Sequence, residues 1–357
     1  MSCIDVPVSE PVLLTGSGFT KNFGGLLANE MWNKINNNLD DILYNDNLNK
    51  LEQNNRTHLK NLIKLTKNDF DYEKIFEKVM KGDKYSKEEK DTINECLLES
   101  YKSMDQRIIT NGYLYGPKVC IDSNALENFI RDLAGGQKEK GFFFTLNQDI
   151  SIERYFRTAA ITPCIERINE WDVLLKQGDF KNSWFKKVPN KEELVRRKLD
   201  KEGKWKNEKV YYIKLHGSFN WKDSKDNKIM VIGTSKLEDI EKEPILKWYL
   251  EMFKCVLSVP NRRLLIIGYG FRDKHINDVI INSIKNNGLG LFIIHPKNRE
   301  DFQKETLNTI SSNNRKAISE AIRRYYQDEL KSIFNHDGAP NEYSELLKYF
   351  LGKQIQI

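Results

Sequence analysis

The chain has 357 residues, of which 39% are hydrophobic, 11% aromatic and 30% charged. This apolar content can bury a sizeable core, which excludes a disordered chain, and the length suits one large α/β domain with insertions or two domains. The mean hydropathy is -0.62 and no apolar run approaches the roughly 20 residues of a spanning helix, so we expect no membrane segment. Residues 1–11 carry no basic region, and we expect no signal peptide.

The cysteines are odd in number and widely spread, and no two of them form a C-x-x-C pair. They are Cys3, Cys96, Cys120, Cys164 and Cys255. This usage predicts neither a disulfide framework nor a four-cysteine zinc ribbon. We therefore expect a protein of a reducing cytosol that binds no metal.

Positive charge is concentrated in one segment. Residues 181–210 hold eleven Lys or Arg and five acids, and the difference of +6 equals the net charge of the whole chain. Clustered cations favour a nucleic-acid or acidic partner, because they release counterions from phosphate. The interleaved acids are more typical of a solvated insertion beside the core, although a nucleic-acid partner stays open.

The first predicted elements are a strand and a run of helices. Residues 11–15 form a short apolar run that stops at Gly16, which predicts a buried strand entering a glycine loop. Apolar residues then recur at helical spacing from about residue 26 to 104, with Leu39, Leu62 and Leu97 among them. Residues 125–133 predict another helix. The first strand is therefore followed by a helical insertion.

Strands resume after the insertion. Residues 141–146 form a continuous apolar run, which is typical of a central parallel strand. Further strands are predicted at 210–215, 263–267 and 289–294, and helices at about 273–286, 298–334 and 342–351. Strands separated by helices predict an α/β fold with a doubly wound, parallel, Rossmann-like sheet. Ligands of such sheets lie beyond the carboxyl ends of the strands.

Two glycine loops follow predicted strands. In the first, Gly16 and Gly18 would let the backbone approach a pyrophosphate, but Lys21 stands where the dehydrogenase fingerprint has its third glycine. An ordinary strand-to-helix turn explains this loop equally well. In the second, Gly268 and Gly270 permit close approach to a ligand. Here Asp273 can cap the next helix, and His275 is either functional or structural.

Polar residues also follow the strands at 141–146 and 210–215. Asn147 and Asp149 come after the first of these, where Asp149 is equally well explained as a cap for a helix beginning near Ile150. His216 ends the second and precedes Gly217, so we expect it at the ligand edge. Histidine can act as a general base near neutral pH, although a lone histidine is more often structural.

Together these segments resemble the sirtuin (silent information regulator) family, and more closely the bacterial sirtuin-like NADases of antiphage defence. The family's Gly-Ala-Gly-x-Ser loop is similar to Gly16 through Thr20. Its Thr-x-Asn-x-Asp element resembles Thr145 through Asp149, and its His-Gly pair resembles His216 and Gly217. The late loop Gly268 through Asn277 is similar to a form common in the NADase branch. The four segments occur in the family's order, each at a predicted strand end.

The resemblance implies hydrolysis of NAD+ to nicotinamide and ADP-ribose. It implies His216 as the general base, Asn147 as the residue that holds the nicotinamide ribose or the attacking water, and Asp149 as the residue that stabilises the cationic side. It also implies a larger set of NAD+-binding residues. These are Gly16, Ser17, Gly18, Phe19, Thr20, Asn22, Phe23, Thr145, Gly268, Tyr269, Gly270, Phe271, Asp273 and His275.

The chain departs from the family pattern in ways that bear on activity. Ser17 replaces the alanine of the first loop, and Gln148 replaces a tyrosine common in the NADase branch. The four-cysteine zinc module and the Pro-Asp-Phe-Arg segment of deacylating sirtuins are missing from the sequence. Protein deacylation or ADP-ribosyl transfer is therefore a weaker alternative. A non-catalytic module that senses NAD+ or ADP-ribose is the other alternative.

The resemblance also implies an organisation and partners. It spans about 11–296 as a catalytic domain, with a helical insertion at about 26–135 and a basic insertion at about 175–210, followed by a helical extension at 297–357. A constitutive NADase would kill its host, so control is expected. The closest family parallel is a bacterial cytoplasmic subunit that forms a large homo-oligomer and pairs with a HerA-type hexameric ATPase in abortive infection.

Overall fold

The computed structural model describes residues 7–44, 72–110, 121–136, 138–156, 159–167, 185–199, 207–335 and 341–353. The strands in this part are β1 (Val8–Thr15), β2 (Lys140–Thr145), β3 (Lys186–Lys187), β4 (Val210–Lys214), β5 (Gly217–Lys222), β6 (Lys228–Met230), β7 (Arg263–Ile267), β8 (Gly290–Ile294) and β9 (Ile322–Tyr326). The α-helices cover Ser17–Lys21, Ala28–Tyr44, Tyr72–Lys81, Lys87–Thr110, Ser123–Asp132, Ser151–Tyr155, Lys191–Leu199, Lys236–Lys242, Pro244–Leu257, Lys274–Asn287, Arg299–Asp301, Ser312–Ala321, Leu330–Ile333 and Asn341–Glu345. Wider π-helical turns cover Phe302–Thr306 and Leu346–Phe350.

Six parallel strands form the central sheet, in the spatial order β4-β2-β1-β7-β8-β9. Numbered by their succession in the chain, these strands read 3-2-1-4-5-6, which is the doubly wound order of dinucleotide-binding folds. The predicted fold class is therefore confirmed. The strand order reverses between β1 and β7, and the crevice beyond their carboxyl ends is the expected ligand site.

Side-chain alternation along β2 explains why the sheet is buried on both faces. Phe143 belongs to the core on one face, and Phe142 and Phe144 belong to the core on the other. All three are completely buried. Because successive side chains of a strand point to opposite faces, a continuous apolar run fits only a strand covered on both sides.

One face of the sheet carries the helical insertion. The helices Ala28–Tyr44, Tyr72–Lys81 and Lys87–Thr110 confirm the helical pattern in the described part of 26–104. The predicted helical residues between 45 and 71 lie outside the described part. Trp32 and Leu97 of the insertion share one core cluster with Phe143, so the insertion packs directly on the sheet.

The opposite face is covered by the helix Lys274–Asn287, which was predicted, and by the helix Pro244–Leu257, which the sequence analysis missed. Pro244–Leu257 buries nine side chains, and Phe253 packs edge-on against Phe144 with ring centroids 4.8 Å apart. A small second sheet, of β3, β5 and β6, also escaped prediction.

One predicted element is wrong. Residues 298–334 were expected to be helical throughout, but Ile322–Tyr326 is β9, the last strand of the central sheet. Without β9, β8 would be the edge strand of the sheet, and its outer backbone N–H and C=O groups would lack strand partners. Pairing with β9 gives these groups their hydrogen bonds. Ile322 and Tyr326 are buried while Arg323 and Arg324 are exposed, which suits an edge position.

The cysteines and the helices bear on two expectations from the sequence. Of the described cysteines, Cys96 and Cys164 are buried and outside any disulfide, whereas Cys255 is disulfide-bonded, which the sequence analysis did not predict. Within the described ranges no helix is both long and apolar enough to cross a bilayer.

Candidate functional site

The two glycine loops meet at the point where the strand order reverses. The amide of Gly16 donates to the carbonyl of Ile267 (3.0 Å), and that of Gly18 donates to the carbonyl of Gly268 (3.1 Å). A Cβ atom on Gly16 would lie 2.6 Å from the Gly268 oxygen. Gly268 itself has φ +66°, a conformation that favours glycine. The close contact between the two loops is therefore enough to require glycine at these positions, before any ligand is considered. Gly270 differs, because no atom lies within 4 Å of its would-be Cβ.

The aromatic residues of the first loop belong to the core rather than to an open pocket. Phe19 and Phe23 are almost completely buried, and their rings pack edge-on at 5.2 Å. Phe19 also packs against Phe143 at 6.0 Å. Asn22 folds back on the loop, and its Nδ2 donates to the carbonyl of Gly18 (2.7 Å). The amides of Phe19, Asn22 and Phe23 also donate within the loop, so these residues stabilise its shape, and their contact with a nucleotide stays a prediction.

Asn147 joins the end of β2 to the first glycine loop. Its Nδ2 donates to the Gly16 carbonyl (2.9 Å) and to Thr20 Oγ1 (2.7 Å). Thr20 Oγ1 in turn donates to Asp149 Oδ2 (2.9 Å). The predicted residues Asn147, Thr20 and Asp149 thus lie in one hydrogen-bonded chain, although they are far apart in sequence.

Thr145 fixes the backbone beneath this chain. Its Oγ1 accepts from Thr15 Oγ1 (2.9 Å), across the β1–β2 pair, and from the amide of Asn147 (3.1 Å). The buried hydroxyl therefore orients the turn that carries Asn147. Thr145 therefore supports the site through its hydrogen bonds to Thr15 and Asn147 and does not line it.

Asp149 also contacts the start of the following helix. Its Oδ1 accepts from the amide of Ser151 (3.0 Å), the first residue of the helix Ser151–Tyr155, but the N-cap position belongs to Ile150 and not to Asp149 as predicted. The Lys214 ammonium donates to the Asp149 carbonyl and pairs with Glu153 Oε1 at 2.7 Å. Lys214 is 0% exposed. Burial raises the pKa of Glu153, although the charge of Lys214 opposes that shift.

Sequence reasoning missed Lys214 as part of the site. It stands at the end of the apolar strand β4, and a lysine in such a strand is the signal that could have found it. A buried ammonium needs partners, and here both partners lie on the segment that carries Asp149.

Gln148, the departure from the tyrosine of the NADase branch, links three parts of the fold. Its Nε2 donates to the carbonyl of Val231 (2.7 Å), next to β6. Its Oε1 accepts from the hydroxyl of Tyr101 (2.5 Å), on the helical insertion. The Tyr101 ring also stacks on Phe219 at 5.2 Å. Gln148 therefore ties the insertion to the site rather than pointing outward as a pocket residue.

His216 follows β4 at the carboxyl edge and is 3% exposed. Its Nε2 lies 3.0 Å from Nε2 of His275, in the first turn of the helix Lys274–Asn287. Gly217 next to it has φ +74°, and a Cβ there would lie 2.2 Å from the Ile229 carbonyl oxygen. A sharp turn that only glycine fits therefore places the imidazole.

Both imidazoles are neutral near pH 7. Burial lowers the pKa of His216 well below its usual value, although the charge of Asp273 opposes the shift. Burial likewise lowers the pKa of His275 to about 4. One ring nitrogen of the pair donates and the other accepts, so the two rings share a single proton along their contact.

Asp273 and Lys236 complete this cluster. The Lys236 ammonium lies 2.7 Å from Asp273 Oδ1 and 2.8 Å from Glu73 Oε2. Burial opposes ionisation of Asp273, but the nearby imidazole of His216 and the ammonium of Lys236 hold its pKa below the usual value. Asp273 occupies the N-cap position of its helix, but its side chain does not cap the helix as predicted. Lys236 was not foreseen, because its helix was not predicted.

His216, Asp273 and His275 are spaced so that they could hold a metal ion. One ligand atom from each lies within 4.8 Å of the others. However, the Lys236 ammonium already binds Asp273, and a cation at this position repels a divalent ion. The arrangement therefore favours a hydrogen-bonded cluster, and the expectation that no metal binds stays a prediction.

The side chains of the second glycine loop hold its shape. The Tyr269 hydroxyl is 2.7 Å from Asn277 Oδ1, and Asn277 Nδ2 donates to the carbonyl of Phe271 (2.8 Å). Phe271 is buried against Phe302, with ring centroids 5.9 Å apart. The predicted contacts of this loop with a nucleotide would therefore come from its backbone around the exposed Gly270.

The described part of the basic segment is tied to the domain. The helix Lys191–Leu199 has acids in its first turn and bases in its last, which matches the helix dipole. Lys198 lies over the Trp248 ring (4.4 Å), and Arg197 Nη1 donates to the Cys164 carbonyl (2.7 Å). These contacts suit the solvated insertion. Nucleic-acid binding stays a prediction, and Lys181, Lys201, Lys204 and Lys206 lie outside the described residues.

Comparison with known families gives one match. Residues 141–318 match the family model described as SIR2-like domain. The matched range begins in β2 and includes Asn147, Asp149, His216 and His275, but not the first glycine loop. The match supports the interpretation of this chain as a sirtuin-like family member, and a SIR2-like domain implies the use of NAD+. No curated protein matches the chain.

Proposed function

We propose that this chain, which carries a SIR2-like domain, hydrolyses NAD+ at the bond between nicotinamide and ribose, giving nicotinamide and ADP-ribose. One observation carries the proposal. A neutral histidine pair, the Asn147 chain and the exposed Gly270 backbone all stand on the carboxyl edge of one sheet, where its strand order reverses. This is the expected position of a dinucleotide in a doubly wound fold.

The exposed loop backbone supports a binding role for this edge. Ser17 is exposed and Gly18 is partly exposed, while the residues on either side of them are buried. Gly270 is also exposed, and the space beside it is open. We assign the pyrophosphate to the first of these loops and the adenosine ribose to the second, since backbone without side chains admits the closest approach.

For this reaction the protein has to position the substrate and to supply one base. When the bond breaks, nicotinamide leaves as a neutral molecule and water supplies the new C–O bond, releasing one proton. The neutral His216 is a base of the kind that can accept this proton. Its partner His275 is more exposed, and we infer that the pair passes the proton outward along the 3.0 Å contact.

Asn147 and Asp149 receive different roles. The Asn147 amide nitrogen is engaged with Gly16 and Thr20, and we assign its amide oxygen to a ribose hydroxyl or the attacking water. Both Asp149 carboxylate oxygens bind the protein, through Thr20 and Ser151. We therefore interpret Asp149 as a positioning residue, which acts through Thr20 on Asn147, and as a fixed negative charge near the cationic substrate.

The test is a product assay with purified protein. Wild-type chain, His216→Ala and Asn147→Ala are each incubated with NAD+, and nicotinamide and ADP-ribose are quantified by chromatography. We expect products from the wild type and a loss of about 100-fold or more in each variant. Thermal unfolding and NAD+ binding of the variants serve as controls that the fold and the pocket persist.

The other outcomes separate the alternatives. Equal turnover by wild type and His216→Ala would refute the assignment of the base. NAD+ that is bound but left intact, also in the presence of a co-encoded ATPase, would indicate a sensing module instead. NAD+-dependent loss of the acetyl group from an acetylated lysine peptide, with transfer of that group to ADP-ribose, would indicate a deacylase.

We also propose that the activity serves antiphage defence in the bacterial cytoplasm and is controlled by self-assembly and a HerA-type ATPase. The support is the resemblance of the motifs, together with the need to restrain an enzyme that depletes NAD+. Light scattering after size-exclusion chromatography tests the assembly. We expect a homo-oligomer, and a monomer at every concentration would count against control by self-assembly.

A further inference from the structure

A second charged cavity lies at the opposite edge of the sheet, beside the amino ends of β7, β8 and β9. Its volume is about 270 Å³. Four arginines line it together with Tyr349 and Phe292, and none of its described lining residues is acidic. Strands of five residues, at roughly 3.3 Å each, place it about 16 Å from the glycine loops. The cavity is therefore separate from the candidate active site.

Two of the arginines belong to the start of β7 and are held in place by the protein. Arg262 is 6% exposed, and its Nη1 donates to the carbonyl of Val8 (2.9 Å). Arg263 pairs with Glu10 (2.8 Å) and donates to the carbonyl of Tyr349 (3.2 Å). The Nε atoms of both are buried without a hydrogen-bond partner among the described residues. Burial also lowers the pKa of Arg262, so its surroundings disfavour the positive charge.

The other two arginines come from β9. Arg323 crosses over Gly290, where a Cβ atom would lie 3.0 Å from Arg323 Cγ, so the missing side chain makes room for it. Arg324 lies with its guanidinium carbon 4.3 Å from the centre of the Tyr349 ring. Within the described chain neither of them forms an ion pair. The carboxylates of Glu10 and Glu139 thus act on the arginines at the start of β7, while no described ion pair neutralises the two arginines of β9.

We propose that this cavity binds a compact phosphate-bearing anion, either inorganic pyrophosphate or the phosphate groups of a nucleotide. Planar guanidinium groups donate paired hydrogen bonds to phosphate oxygens, and a doubly charged anion offsets the excess of positive charge. The volume falls just below the roughly 300–1,000 Å³ of pockets for drug-sized ligands, which suits a small anion better than a protein segment. This inference is independent of the proposed NAD+ hydrolysis.

The test measures binding of inorganic pyrophosphate to the full chain by calorimetry at constant ionic strength. We expect saturable binding to the wild type and about tenfold weaker binding after Arg323→Ala or Arg324→Ala, since one charge-assisted hydrogen bond is lost. Lys316→Ala is the matched control, because it removes one exposed positive charge on the neighbouring helix Ser312–Ala321. Circular dichroism confirms the fold of each variant.

Further arms distinguish the source and the class of ligand. ADP that binds more tightly than pyrophosphate, with the same dependence on Arg323, identifies a nucleotide as the preferred source. Pyrophosphate binding that persists unchanged in the Arg323→Ala/Arg324→Ala double variant would show that the arginines of β9 do not hold the anion and would overturn the proposal. So would no binding to the wild type at millimolar concentration, or tighter binding of a hexaglutamate peptide, which would indicate a protein-docking surface.

Discussion

His216 is a buried imidazole whose neighbours set its protonation from two directions. Asp273, at the start of the helix that also carries His275, favours the protonated form, whereas Lys236 disfavours it. Burial outweighs the attraction of the carboxylate, so the ring stays neutral. A general base must be neutral to accept a proton, and the lowered pKa keeps His216 neutral at physiological pH while making it a weaker base.

This residue-scale argument predicts a broad pH profile for NAD+ hydrolysis. Because the pKa of His216 lies well below its usual value and that of His275 is about 4, the active neutral pair persists as the pH falls from 8 to about 6. We expect kcat/KM to fall only below about pH 5, as the pair takes up a proton. Asp273→Asn removes the charge that favours protonation, so the acid limb should move to still lower pH. An acid limb at pH 6.5 or above would contradict the burial argument, once circular dichroism has excluded unfolding.

At the scale of elements, the long helix Lys87–Thr110 is locked to the sheet by buried polar contacts. Asp105 Oδ1 accepts from Arg154 Nε (3.0 Å), and both side chains are only 4% exposed. One turn earlier, Tyr101 contacts Gln148 beside the candidate site. Burial raises the pKa of Asp105, although Arg154 opposes the shift. The insertion therefore supports the loop that carries Asn147 and Asp149.

Removing the carboxylate of this pair should destabilise the protein strongly. Asp105→Ala removes the carboxylate that pairs with the buried guanidinium of Arg154, and breaking comparable buried pairs costs about 3–5 kcal/mol. Glu127→Ala is the matched control, because it breaks the exposed pair with Arg131 and should cost less than about 1 kcal/mol. Urea unfolding measures both changes in the free energy of unfolding. Equal losses would show that the buried pair does not anchor the insertion.

Elements also show what the sequence could and could not predict. The strands at 141–146 and 263–267 carried continuous apolar runs, and both were found within one residue of their bounds. Strand β9 was missed because Ile322–Tyr326 continues a helical stretch without a glycine or proline between them. The expected alternation of helix and strand was the usable signal there.

The candidate site likewise contains residues that the sequence could single out and contacts that it could not predict. Asn147, Asp149 and His216 were singled out because each follows a predicted strand and matches a motif of the family that the sequence resembles. The contact between His216 and His275 was not, since it depends on how β4 and a helix 59 residues later meet in space. Lys236 was missed for the same reason, since its partners Glu73 and Asp273 lie far from it in sequence.

At the scale of the whole molecule, the central sheet divides two apolar cores that depend on the same strands. The core on one face joins Phe143 to the helical insertion and to Phe350 near the C-terminus. The core on the other joins Phe142 and Phe144 to the helix Pro244–Leu257. Because alternate residues of β2 serve both cores, the loss of one face exposes the strands that hold the other. This arrangement favours unfolding as a single cooperative unit.

The C-terminal segment tests this cooperativity and also the predicted boundary at residue 296. Phe350 is completely buried, with its ring 6.0 Å from that of Phe129 and 5.4 Å from that of Phe292. We expect Phe350→Ala to lower the free energy of unfolding by about 3–5 kcal/mol, while Leu237→Ala, at a residue 45% exposed, changes it by less than about 0.5 kcal/mol. Calorimetry should show one transition, shifted as a whole, because the segment and the sheet share a core. If Phe350→Ala instead produced an early separate transition and left the main one unmoved, residues 297–357 would be an extension that folds apart from the catalytic domain.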